Sequence, residues 1–235
     1  MAPELKTLIT EVNSDRQPPS LQIQQPGPSL SFSLSGLQQV GLVFVLIMIA
    51  VWTPQGHIDT FVGLLAAFCI VWFTVRGHYS VRELGLARPL YGVTSILAIG
   101  ALMVAAIVVA DWLMHNLGPP QPAPWKRAWQ YAIWSLQQEF ILQSFFFVRL
   151  ESALGGRRAA VRAALLFSIA HVPNPLLSVL SFIGGLIFCE LFRRYRNLFP
   201  LGVVHAALGL TIAASFPDSL LHHMRVGLGY LLYRP

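Results

Sequence analysis

The sequence predicts an all-α protein, a polytopic transmembrane helix bundle of about seven spans preceded by a disordered amino-terminal tail. Three observations carry this expectation. Apolar residues make up 55% of the 235 residues and charged ones only 11%, far from the roughly 25% charged residues of a soluble domain. The mean hydropathy is +0.60. Apolar runs recur along the chain at lengths that can cross a hydrocarbon core of about 30 Å, and lysines and arginines fall in alternate connections between them.

In chain order, residues 1–34 are rich in Pro, Gln and Ser and hold no hydrophobic region of a cleaved signal peptide, so they read as a disordered cytoplasmic tail. Residues 35–235 form the membrane domain. Its spans are read at 36–53, 58–75, 90–111, 127–150, 159–178, 178–193 and 198–216, the fifth and sixth being poorly separated. Ser80 to Pro89, with Leu84 and Leu86 among arginines, reads as a short interfacial segment before the third span. Leu117 to Trp125 contains Pro119, Pro120, Pro122 and Pro124 and reads as an extended outer linker. Cys69 and Cys189 lie in apolar spans and read as small buried hydrophobes, without a disulfide or a cysteine metal site.

The charges orient the bundle. Twelve basic residues fall on one side: Lys6, Arg16, Arg76, Arg82, Arg88, Arg149, Arg157, Arg158, Arg162, Arg193, Arg194 and Arg196. Four fall on the other: Lys126, Arg127, Arg225 and Arg234. The positive-inside rule places the amino terminus in the cytoplasm and the carboxyl terminus outside, in a plasma or inner membrane. The net charge of +6 is thus a signal of topology, and nucleic acid is not expected as a partner. The lipid bilayer is.

Of ten carboxylates, Glu139 stands near the middle of an apolar run, Ala128 to Leu150. An ionisable group at that depth costs about 2.5–3.5 kcal/mol on insertion scales and marks a protein interior or a hydrated cavity. Ser135, Glu139 and Gln143 recur every four residues and share one helical face, with Gln138 on the adjoining one; interhelical hydrogen bonding is the alternative use of such a stripe. Phe140, Phe147 and Ile133 face lipid or packed helices.

His171 ends the fifth span just before Val172-Pro173-Asn174-Pro175, where two prolines should break the helix and open backbone carbonyls to a cavity. His205 lies two turns into the seventh span among small residues that permit close approach of a neighbour. Together, Glu139, His171 and His205 suit hydrolysis of an amide by activated water: a carboxylate and a histidine hold the water, and a second histidine donates to the oxyanion. The same three residues could instead hold zinc with an open fourth position. His222 and His223, near the carboxyl terminus, read as part of a solvated tail.

The order Gln138-Glu139-Phe140-Ile141-Leu142-Gln143, then Phe167-x-x-x-His171, then His205, resembles the CAAX prenyl protease and bacteriocin-processing family (CPBP, or Abi) of glutamic-type intramembrane proteases over about residues 80–216. That family carries E-E-x-x-x-R, F-x-x-x-H and H-x-x-x-N motifs on separate helices. The resemblance implies that Glu139 and His171 activate water and that His205 serves the oxyanion, with Gln138, Gln143, Phe167, Asn174 and Gly209 in supporting positions. Gln138 stands at the first glutamate, Gln143 at the arginine and Gly209 at the asparagine. The implied activity is endopeptidase cleavage of a membrane-associated protein or peptide without a required cofactor. The alternatives are a zinc-dependent version of that hydrolysis and an inactive membrane scaffold or immunity protein. A transporter would need polar residues along several spans, whereas here they gather at one depth.

Overall fold

The computed structural model describes residues 34–114 and 125–234. Among these every regular element is helical. The helices are α1 (Gly36–Trp52), α2 (His57–Arg76), α3 (Val93–Leu113), α4 (Trp125–Glu139), a π-helical stretch (Phe140–Phe147), α5 (Val148–Leu154), α6 (Gly156–Ile169), α7 (Pro175–Tyr195), α8 (Leu198–Ser215), α9 (Asp218–Leu221) and α10 (Gly227–Leu231), with a 3₁₀ turn at His222–Met224. Four of them, α2, α3, α7 and α8, are long and apolar enough to cross a membrane; α1 is apolar but shorter, at 17 residues. The amino-terminal tail and the Pro-rich linker expected from sequence lie outside the described residues, save for their last residues.

Local chemistry sets the helix ends. Ser35 caps α1 through a reciprocal box with Gln38, each side chain reaching the other's backbone N–H, which satisfies two otherwise orphan donors. Asn174 caps α7, its Oδ1 accepting from the Leu177 N–H at 3.1 Å, with Pro175 at the first helical position, where a missing N–H costs nothing. The chain therefore breaks at 170–174, a turn that includes His171, and not near residue 178, where the fifth and sixth spans were divided by apolarity alone. The proline pair outweighs the continuous hydropathy because it removes helix donors.

The outer helices α2 and α3 bury few side chains and expose large apolar ones, such as Leu64 at 65% and Leu102 at 71%, as lipid-facing helices do. The innermost is α8, which buries ten of its residues and packs against both α3 and α4. Small residues make this possible. A Cβ on Gly202 would stand 2.7 Å from Leu136 Cδ1 and 3.2 Å from Leu136 Cα, and one on Gly100 would strike Val204, so the backbones meet at distances that only glycine allows.

The connections are tied to the bundle. The expected interfacial segment is a series of turns in which Leu84 and Gly85 are buried, and the Leu84 carbonyl accepts from Ser144 Oγ at 2.7 Å. Asn197 Nδ2 donates to the Pro89 and Tyr91 carbonyls, both at 2.8 Å. Two expectations are corrected. Arg149 is not a loop cation: it is fully buried, with its guanidinium 3.8 Å over the Phe145 ring and Nε donating to Gln39 Oε1 at 2.9 Å. The segment around His222 and His223 is not a solvated tail either. It folds back: Asn174 Nδ2 donates to the Leu221 and Arg225 carbonyls at 2.9 and 3.3 Å, and the Gly227 N–H donates to the Val172 carbonyl at 2.8 Å. Asp218 clamps it further by pairing with His223 and Tyr233. Both cysteines carry free thiols; Cys189 is buried and Cys69 half-buried.

A candidate active site around two histidines

Glu139 closes the regular part of α4, and the π-helical stretch begins at the next residue. A π turn adds a residue to the helical circuit and occurs often at functional sites. The stripe read from sequence is real: Ser135, Glu139 and Gln143 are each wholly buried, and Gln143 Nε2 donates to Glu139 Oε2 at 3.1 Å. The other carboxylate oxygen, Oε1, accepts from His205 Nδ1 at 2.8 Å. Two helices 66 residues apart in sequence thus meet through one carboxylate.

His171 lies in the turn between α6 and α7, where its Nδ1 is 2.7 Å from the Phe167 carbonyl. A carbonyl can only accept, so Nδ1 carries the proton and Nε2 keeps its lone pair. His205 turns its Nδ1–H to Glu139 in the same way, and among the described residues its Nε2 is not tied to another group. Phe167 packs edge-on to both rings, 4.7 Å from His171 and 5.8 Å from His205 between centroids, and so sets their spacing. Phe188 flanks His205 from α7 at 5.9 Å.

Both histidines line a mostly apolar cavity of about 340 Å³, together with Gln138, Phe167, Tyr131 and Gly209. Met224 and Val226 of the folded-back segment also line it, and Asn174, which pins that segment, is buried behind the wall. Glu139 is not part of the lining. It reaches the cavity through His205, whereas its neighbour Gln138 faces the cavity directly. Among the sequence-predicted residues, then, His171, His205, Gln138, Phe167 and Gly209 share one cavity; Glu139 and Gln143 stand behind it. Tyr131 was missed. Its signal was its spacing, seven residues before Gln138 and hence on the same face, but a tyrosine near a helix end reads first as an interfacial anchor.

Among the described residues no three His, Cys, Asp or Glu side chains gather as metal ligands.

Fold and site together define an integral membrane protein of helices, built around a buried carboxylate–imidazole pair that opens, through its histidine, on an apolar cavity. Residues 119–211, rather less than half of the chain, match the model of a family described as type II CAAX prenyl endopeptidase Rce1-like. The match supports the recognition, made from the motifs, of the CAAX prenyl protease and bacteriocin-processing family. That is a family of membrane proteases. No curated protein and no solved structure matches the chain.

Proposed function

We propose that this protein is an intramembrane endopeptidase that hydrolyses a peptide bond of a membrane-associated protein or peptide, with His171 as general base and His205, seated on Glu139, as oxyanion donor. The observation that carries the reading is that two histidines share one cavity with both Nδ1 atoms tied back, so that two free Nε2 atoms serve one small space. Water bound between His171 and Gln138 gives its proton to His171 Nε2 as its oxygen bonds to the scissile carbonyl carbon. The carbonyl π pair moves onto oxygen, which accepts a hydrogen bond from the Nε2–H of His205, in this step an imidazolium protonated on both nitrogens, its charge balanced by the Glu139 carboxylate. Collapse breaks the C–N bond, and His171 returns the proton to the leaving amine. Glu139 in this scheme holds His205 in its orientation and in its doubly protonated form. The sequence-based assignment of Glu139 to water activation gives way here to a role one residue further from the water.

A second reading rests on Gln138. An amide where the motif has a carboxylate supplies no base, and this favours a peptide-binding membrane scaffold without turnover. The purified protein in bilayer discs, offered a library of lipid-anchored fluorogenic peptides, separates the two. The native protein cleaves members of the library, His171→Ala does not, and Glu139→Gln is slowed about 100-fold or more, all three with the same thermal unfolding profile. Undiminished cleavage by His171→Ala sinks the mechanism; binding without cleavage by the native protein supports the scaffold.

A further inference from the structure

Tyr131 lines the cavity, and its hydroxyl, which lies against Gly209, is not used by the scheme above. It stands on α4 with Trp134 and Gln138 at spacings of three and four, so all three line the same wall. Its side chain crosses to α8 and lies on Gly209: a Cβ there would overlap the hydroxyl oxygen and stand 2.5 Å from Cζ. Gly209 is one turn beyond His205 on α8 and also lines the cavity, so the phenol is held one helical turn from the imidazole. Ser135, one turn along α4, is its polar neighbour. The rest of the wall includes the apolar Met103, Ile107 and Leu208, and a phenol packed against a helix backbone in such surroundings is a positioned donor.

We infer that Tyr131 is a second donor to the oxyanion, giving its O–H to the same oxygen that His205 Nε2–H receives, and that Gly209 is the residue that makes room for it. The inference rests on the endopeptidase reading. In the step concerned, the phenol O–H only hydrogen-bonds to the oxygen that gains the carbonyl π pair; no proton is lost and no bond to Tyr131 forms. A donor of this kind acts on the tetrahedral species and leaves the ground state nearly unaffected.

The test compares affinities for a peptidyl phosphinate, which presents tetrahedral oxygens, and for the matched amide peptide, in the native protein, Tyr131→Phe and Gly209→Ala. Tyr131→Phe keeps the ring and removes the donor; Gly209→Ala keeps the donor and displaces it. Both are expected to weaken phosphinate binding by about 100-fold while changing amide binding by less than about two-fold, and to lower kcat with little change in KM. Equal losses for both ligands, no loss, or no preference for the phosphinate in the native protein would overturn the inference. Selective phosphinate loss in a protein that cleaves no peptide would keep the donor and refute the endopeptidase reading, so the two fail separately.

Discussion

Asn174 offers the sharpest test of how the cavity is walled. Its side chain makes three hydrogen bonds: Oδ1 accepts from the Leu177 N–H, and Nδ2 donates to the Leu221 and Arg225 carbonyls. The first caps α7; the other two hold the segment that brings Met224 and Val226 to the cavity. Asn174→Ala removes all three. Loss of an N-cap costs about 1 kcal/mol, and each lost bond to a carbonyl about 0.5–1.5 kcal/mol. The two that bind the segment therefore sum to about 2 kcal/mol, or roughly a 30-fold shift toward the open segment at 1.4 kcal/mol per decade. Hydrogen exchange of the native protein and the variant in bilayer discs reads this directly. The Gly227 amide, which donates to the Val172 carbonyl, is expected to exchange about 30-fold faster in the variant, with α2 and α3 unchanged. Unaltered exchange across 218–233 would show that the Asp218 clamp and the packing of α10 hold the segment alone, and would refute the reasoning. Exchange accelerated throughout the bundle would refute it too, since the loss would then be global.

Two further outcomes follow from local geometry. Gly202→Leu drives a side chain into Leu136, where a Cβ alone would come within 2.7 Å; α8 and α4 must then separate, and a loss of about 1–3 kcal/mol with a lowered unfolding temperature in detergent is expected, while an unchanged temperature would show that the contact is soft. In the loop before α3, the Glu83 carboxyl accepts from the Ser80 hydroxyl and backbone N–H, both at 2.7 Å, and the hydroxyl first, then the N–H, hold its pKa below the usual glutamate range. A depressed folded pKa contributes stability that is present above the unfolded value and lost as pH falls through the folded one. Ser80→Ala should move the Glu83 titration upward, toward that of an ordinary glutamate, as read by NMR of a labelled side chain; an unmoved titration would exclude the hydroxyl as the cause.

Much of the site could be read from the chain. Glu139 announced itself by the cost of a carboxylate among apolar residues, His171 by the proline pair behind it, His205 by the small residues around it, and the 135–139–143 stripe by its period. What could not be read is which way each group faces. Gln138 and Glu139 differ by about 100° around a helix axis, and the direction of the cavity decides which of them meets a substrate. That direction is set by the packing of α4 on α8 through Gly202 and Gly209, and the π-helical stretch after Glu139 changes the phase of everything beyond it.

The sequence by itself determined the class of protein, the positions of α1, α2, α3 and α8 and a break of the chain at the prolines beside His171, because apolar length and proline chemistry act locally and need no partner. Only the tertiary structure decided that Glu139 lies behind His205 and outside the cavity wall, that Tyr131 lies on Gly209, that Arg149 is buried, and that the carboxyl-terminal segment closes part of the wall. Each of these depends on contacts between residues tens of positions apart, where helix rotation and backbone approach, rather than the identity of any one residue, fix the geometry.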